Sequence, residues 1–259
     1  MLRFCNLASG SSGNATLIEA GSGTTRTRVL IDAGLSWRDL GQRLGRRGLA
    51  LADLDAVFIT HEHIDHVGCA LQLRQRLGIA LWASHGTWAA LGAQATCPAP
   101  EHFARDGEPL PLGDVLLHPF TVPHDAREPL QLKCTDGQRS VGLLTDLGHL
   151  TPHVLKQLAL CDALLLECNH DADMLARSVY PAFLKQRVRG PLGHLSNEQA
   201  ARALAQLAHP RLGAVHAAHL SERNNRPDMA RAALALALGC KPAEIQVCDP
   251  GAPGPWHTV

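Results

Sequence analysis

The chain has 259 residues, 46% of them apolar and 19% charged, enough for one large α/β domain with a sizeable core. Basic and acidic residues balance at 24 each, which removes any bulk electrostatic case for nucleic acid and leaves such binding to a local patch or to bound metal. Five Phe, four Trp and one Tyr are too few for an extended base-stacking platform. The eight cysteines make no Cys-x-x-Cys pair and read as small buried hydrophobes in a reducing compartment. No basic segment leads into an apolar run at the N-terminus, and no stretch of about 18 apolar residues occurs, so the expected location is the cytoplasm, with no membrane partner.

In chain order, residues 2–8 and 15–20 read as strands joined by the turn Ser9 to Asn14. That turn is first a hairpin loop needing glycine dihedrals, and second a set of N–H and hydroxyl donors for a phosphate. Val29-Leu30-Ile31 is an apolar strand ending in Asp32. Asp32 suits either a partner for a metal-bound histidine or a turn cap. A helix is expected over 36–47, with Ser36 at its N-cap, Leu40 and Leu44 on one face and Gly48 at its end.

The strand 56–59 runs into Thr60-His61-Glu62-His63-Ile64-Asp65-His66-Val67-Gly68. Imidazoles and carboxylates at this density are ligands for borderline divalent metals, and burying them without metal would be costly. A lone His-x-His means little, but His-x-His-x-Asp-His between an apolar strand and an amphipathic helix points to a metal site. The helix is expected over 66–77, with Val67, Ala70, Leu71 and Leu77 inward. A short strand at 81–83, a helix at 86–94 and a Pro-rich stretch with turn signals at 96–113 follow.

Residues 115–122 read as strand ending in Pro123-His124-Asp125. Two alternating segments, 130–134 and 140–144, flank Asp136-Gly137, and the second leads to Thr145-Asp146-Leu147-Gly148. Thr151-Pro152 opens a helix. The strand 163–166 ends in Glu167-Cys168-Asn169-His170-Asp171, and short helices cover 172–188. His194 precedes a capping box of Ser196 and Gln199, which starts a helix to about Leu207. The strand 212–217 leads to His219, and Pro227 opens the last long helix, with Met229, Ala233 and Leu236 inward. A final strand is expected at 245–247. The pattern gives one domain over 1–259, two sheets with outer helices.

Metal-type residues therefore cluster after strands: His61, His63, Asp65 and His66, then His124, Asp146 and His219. This set resembles the metallo-β-lactamase superfamily, whose fold is a four-layer αβ/βα sandwich of two mixed sheets. The loops Ala8–Asn14, Pro123–Ala126, Thr145–Gly148, Glu167–Asp171, Gly193–Asn197 and His219–Asn225 most resemble the YycJ/WalJ-type branch, and more distantly ribonuclease Z and related phosphodiesterases. The resemblance implies two divalent ions, Zn or Mn with Fe as a further choice. His61, His63 and His124 would hold one, Asp65, His66 and His219 the other, and Asp146 would bridge them. It implies phosphodiester hydrolysis by a metal-bridging hydroxide, of the exodeoxyribonuclease type, with DNA favoured over RNA as partner. Asp65 would also orient that hydroxide, and His194 or His170 would serve as general acid. Glu167 would hold a ligand histidine in place. Arg223 and Arg226 adjoin His219 and are candidates for phosphate contact, as is the basic stretch 185–189.

Only 72 residues separate Asp146 from His219, which leaves no room for the large inserted domain of RNA-processing relatives, and no Gly/Pro-rich clamp for transfer RNA is evident. A competing expectation keeps the fold and changes the bond, to a small ester, thioester or cyclic phosphodiester. A third is a binding protein on a degenerate scaffold, against which the complete ligand set argues.

Overall fold

The computed structural model describes residues 1–92 and 102–259. Contacts divide these into two compact units, and hydrogen bonding orders the strands into two mixed sheets.

The first unit holds residues 1–121, 126–140 and 249–259. Strands β1 (Leu2–Ala8), β2 (Ala15–Ala20) and β3 (Thr27–Ile31) are antiparallel neighbours. From β3 the sheet continues in parallel through β4 (Ala56–Ile59), β5 (Ala80–Ser84) and β6 (His102–Ala104). The antiparallel part of the other sheet comprises β7 (Leu110–Leu112), β8 (Val115–Thr121) and β9 (Leu130–Thr135). β6 and β7 fall in the stretch expected to be turns. They are three residues each, too short for an alternating pattern to register.

Helix α1 (Trp37–Gly45) starts at the expected cap, where the Ser36 hydroxyl accepts the Asp39 N–H at 3.1 Å. Leu40 and Leu44 lie one turn apart and are fully buried, each worth about 1.5–3 kcal/mol relative to exposure. They join a core containing Leu17, Leu30, Val57, Ile59 and Leu73.

The continuous helix expected at 66–77 is instead two, α2 (Ile64–Val67) and α3 (Ala70–Leu77). Gly68 takes φ +38°, and a Cβ there would lie 2.3 Å from the Ala33 carbonyl oxygen. The Cys69 N–H donates to that same carbonyl at 3.0 Å. The break re-phases the helix, so Leu73 is buried and Leu77 is 40% exposed. Helix α4 spans His85–Gly92, and the last two residues expected in it, with Cys97, lie outside the described residues.

The second unit holds residues 122–125 and 141–248. Here β10 (Ser140–Leu144), β11 (Ala163–Glu167), β12 (Ala214–Ala218) and β13 (Gln246–Val247) are parallel neighbours in that order. Parallel neighbours need crossover connections, and helices supply them. α5 (Pro152–Leu158) links β10 to β11. α6 (Ala172–Arg177), α7 (Ala182–Val188) and α8 (Asn197–Leu207) link β11 to β12, and α9 (Pro227–Leu238) links β12 to β13. The capping box of Ser196 and Gln199 forms at α8. In α9 the inward residues are Ala230, Leu234 and Ala235, while Leu236, expected inside, is 85% exposed. The run of Ala and Leu in that helix gives no clear apolar face to read. The short strand β14 (His257–Thr258) returns to the first unit and edges β1. No described helix is long and apolar enough to cross a membrane.

Parallel register places functional loops together within each unit. In the first, β3 and β4 both end near Asp32 and Thr60. In the second, β10, β11 and β12 end at one edge, followed by Asp146, Glu167–His170 and His219. Carboxyl ends of parallel strands are where α/β sheets usually place ligands.

Candidate functional site

In the first unit, His61, His63, Asp65 and His66 stand in one turn after β4. Asp32 anchors them. Its carboxylate accepts the Thr60 N–H at 2.9 Å, the Thr60 hydroxyl at 3.0 Å and His66 Nδ1–H at 2.8 Å. Of the two readings open for Asp32 in the sequence, the structure supplies the histidine partner. Burial pushes the Asp32 carboxyl up from its usual value, opposed by His66 and Thr60. Thr60 spends its proton on Asp32 and is left to accept from His61 Nδ1 at 3.0 Å. Asn14 fixes the other side, with its amide nitrogen 3.2 Å from Asp65 Oδ2 and its backbone N–H on the Asp65 carbonyl at 2.7 Å. A Cβ on Gly34 would sit 1.7 Å from the Asp65 carbonyl oxygen, so only glycine permits this approach.

In the second unit, Glu167 plays the part of Asp32 on a larger scale. It is fully buried and accepts five hydrogen bonds: from the N–H groups of Asp146, Leu147 and Leu195, and from Nδ1 of His194 and His219. Burial alone would raise its pKa. The charge of His194 and the hydrogen bonds from both histidines outweigh that and hold it at about 2. Around Asp146 Oδ1 stand His219 Nε2 at 3.5 Å and His124 Nε2 at 3.9 Å. Asp146, Glu167, His194 and His219 bring ligand atoms within 4.8 Å of one another.

The donor chemistry fits a divalent ion. Four of the five histidines expected as ligands turn Nδ1 to a protein group: His61 to Thr60, His66 to Asp32, His124 to the Gly193 carbonyl at 3.3 Å, and His219 to Glu167. Each then presents Nε2 with a lone pair, the arrangement typical of metal-bound histidine. His63 differs, with its Nδ1 3.0 Å from His61 Nε2. Two nitrogens on one tetrahedral ion, at bonds of ~2.0–2.1 Å, stand ~3.3 Å apart. His66 Nε2 and Asp65 Oδ2, at 3.5 Å, have the same kind of spacing.

Backbone strain marks the same residues. Asp32, Asp146 and His219 have φ of 59°, 55° and 55°, the left-handed region that side chains avoid. Each such residue costs on the order of 1–3 kcal/mol and persists where surrounding structure over-determines it.

The two candidate acids differ in surroundings. His194 is 22% exposed, donates Nδ1–H to Glu167 Oε1 at 2.8 Å and has its pKa raised by that charge against the effect of burial. His170 is buried, and burial lowers it to about 4. Its backbone bridges to Ser196, and its carbonyl accepts the Asn197 N–H at 2.8 Å. In the basic stretch, Arg187 pairs with Asp125 at 2.6 Å and Lys185 donates to the Ala176 carbonyl at 2.7 Å. Asn14 and Thr60 had no signal as positioning residues in the sequence, since a Ser/Gly-rich turn and a Thr at a strand end are common.

The beta-lactamase superfamily domain matches residues 27–217. The chain belongs to that superfamily. It is 34% identical over 232 residues to the exodeoxyribonuclease WalJ of Streptococcus pneumoniae serotype 2, covering 88% of this chain and 85% of that one. It is 31% identical over 239 residues to the exodeoxyribonuclease YycJ of Bacillus anthracis, covering 92% and 89%. Among solved structures, the metallo-beta-lactamase fold protein YhfI of Bacillus subtilis superposes with a TM-score of 0.73 at 16% identity, covering 98% of each chain. Zn(2+)-bound PqqB of Methylobacterium extorquens gives 0.72 at 18% identity, covering 98% of this chain and all of that one. The fold is therefore the metallo-β-lactamase fold, two mixed sheets with helices. With the superfamily and the His/Asp clusters, the chain is a metal-dependent hydrolase that binds divalent ions.

Proposed function

We propose that residues 1–259 act as one dinuclear-metal phosphodiesterase that degrades DNA as an exodeoxyribonuclease, in the cytoplasm. The observation that carries the reading is the Glu167–His194 pair beside Asp146 and His219, in a chain whose relatives, matched over most of their length, bear that name. On the superfamily pattern, His61, His63 and His124 would hold one ion and Asp65, His66 and His219 the other, with Asp146 as a further ligand. Mixed imidazole and carboxylate ligation suits Zn, Mn or Fe. Bound ions supply activation of water and stabilisation of charge on the phosphoryl oxygens.

The chain's own groups do the rest. Asp65, fixed by Asn14, orients the attacking water. Glu167 keeps His194 in the Nδ1–H form and favours its cation, so that Nε2 carries a proton for the leaving oxygen. His170 stays neutral near pH 7 and acts through its backbone, tying the loop of Ser196 to the loop of Glu167. We place the general acid at His194 for these reasons. The left-handed backbone at Asp32, Asp146 and His219 fixes their side chains before substrate arrives.

The test is a substrate panel: linear DNA, RNA, bis-p-nitrophenyl phosphate and a thioester, given to metal-loaded protein and to the His63→Ala and Asp65→Ala variants. The expected result is DNA cleavage from an end, lost in both variants. Turnover of the thioester alone would replace the phosphodiesterase reading with a thioesterase one.

A further inference from the structure

The second unit contains a cavity of about 460 Å³ that the chemistry above does not use. Its wall is built from α6, the start of α9 and the loop that leaves His219. Arg177, Arg223 and Arg226 line it, with Met174 and Met229 as its apolar side. The volume matches one small ligand, within the usual ~300–1,000 Å³ of such sites.

Its charges are unevenly committed. Asp171 caps α6 by accepting the Met174 N–H at 2.8 Å. Asp173 pairs with Arg177 at 3.1 Å, and Arg226 lies 3.5 Å from Asp228. Arg223 is exposed and has no carboxylate partner among the described residues. An uncommitted guanidinium in a cavity with a second one close by in sequence is suited to a phosphate, which accepts two parallel N–H bonds.

The cavity is stitched to the site loops. The Ser221 N–H donates to the Asn169 carbonyl and the Asp171 N–H to the Asn224 carbonyl, both at 2.8 Å. The Asn225 amide donates to the Cys168 carbonyl at 2.7 Å and meets the Asn197 side chain. The loop that carries Arg223 and Arg226 is thus fixed to the loops that carry Glu167 and the start of α8. His219 and Arg223 are four residues apart on that loop.

We infer that this cavity is a subsite for a nucleotide flanking the cleaved bond, with Arg223 and Arg226 on its phosphate and Met174 and Met229 against its sugar or base. The inference rests on the phosphodiesterase reading and adds to it where the uncut strand is held. Phosphate contact carries no sequence information, so the subsite grips any strand.

The experiment measures binding and cleavage separately. Metal-loaded protein is titrated into a 5′-labelled single-stranded DNA with phosphorothioate linkages, at several NaCl concentrations from about 50 to 200 mM. The variants are Arg223→Ala, Arg223→Lys and Arg226→Ala, with Arg202→Ala on α8 as a charge-matched control. The expected result is about a tenfold weaker Kd for Arg223→Ala and a salt slope smaller by about 1. Arg223→Lys should recover part of both, because it keeps the charge and loses the fork. Arg202→Ala should match the wild type. If the Arg223 and Arg226 variants match the wild type in Kd and slope while wild type cleaves ordinary DNA, the subsite is refuted and the phosphodiesterase reading stands. If the wild type neither binds nor cleaves DNA, both fall together.

Discussion

Replacing Glu167 with Gln removes one acceptor atom and the charge while keeping the shape. Oε1 serves Asp146 N–H, His194 and His219, and Oε2 serves the N–H groups of Leu147 and Leu195. The glutamine amide leaves only one oxygen. In its better orientation that oxygen takes the Oε1 place, and two buried N–H groups then face an NH₂. Each unsatisfied buried donor costs about 1–3 kcal/mol, so Glu167→Gln should lose about 2–6 kcal/mol from a total of about 5–15. For a chain of this size that is a fall in Tm of about 4–24 °C. Because His219 loses a charged partner, affinity for divalent metal should fall about 10- to 100-fold. The assay is thermal melting of chelator-treated protein, followed by metal titration. The pH dependence gives a second signature. A carboxylate held at about 2, below its ordinary 4.5, adds stability that is complete above about 4.5 and is lost as pH falls toward 2. The gap between wild type and Glu167→Gln should narrow over that window. A variant with wild-type Tm and metal affinity would refute the role given to Glu167.

His194→Ala should lower kcat for DNA by about 10²- to 10⁴-fold and lower it much less for a p-nitrophenyl diester, whose leaving group departs without a proton. Equal losses on both substrates would remove His194 as the acid. Asp32→Asn should weaken metal binding about 10- to 100-fold with modest loss of stability, because Asn tolerates the left-handed backbone at φ 59°. Asp32→Val should be less stable still by about 1–2 kcal/mol, read as the difference between the two denaturation midpoints.

Much of the fold and the site is legible in the sequence. The strands that carry the site are short apolar runs ending in polar residues, and β1, β2 and β4 stand where the residues place them. The caps Ser36, Thr151 and Ser196 mark helix starts because each has a specific hydrogen bond to make. Features set by close approach were not legible. The split between α2 and α3 depends on the Ala33 carbonyl meeting Gly68, a contact between segments 35 residues apart. The left-handed backbone at Asp32, Asp146 and His219 likewise has no signature in residue type alone. Glu167 was readable as a support for a ligand histidine, but its hold on His194 as well required the loops to be seen together. The cavity around Arg223 had only its basic residues to announce it, and exposed arginines are common.

The most direct test of the account is metal content set against activity in the same preparation. Protein loaded with Zn or Mn and freed of excess should retain about two ions per chain, should degrade linear DNA, and should lose both properties together on chelation. His219→Ala and His61→Ala should each reduce the retained metal. Full DNA cleavage by chelator-treated protein with no bound metal would contradict the account.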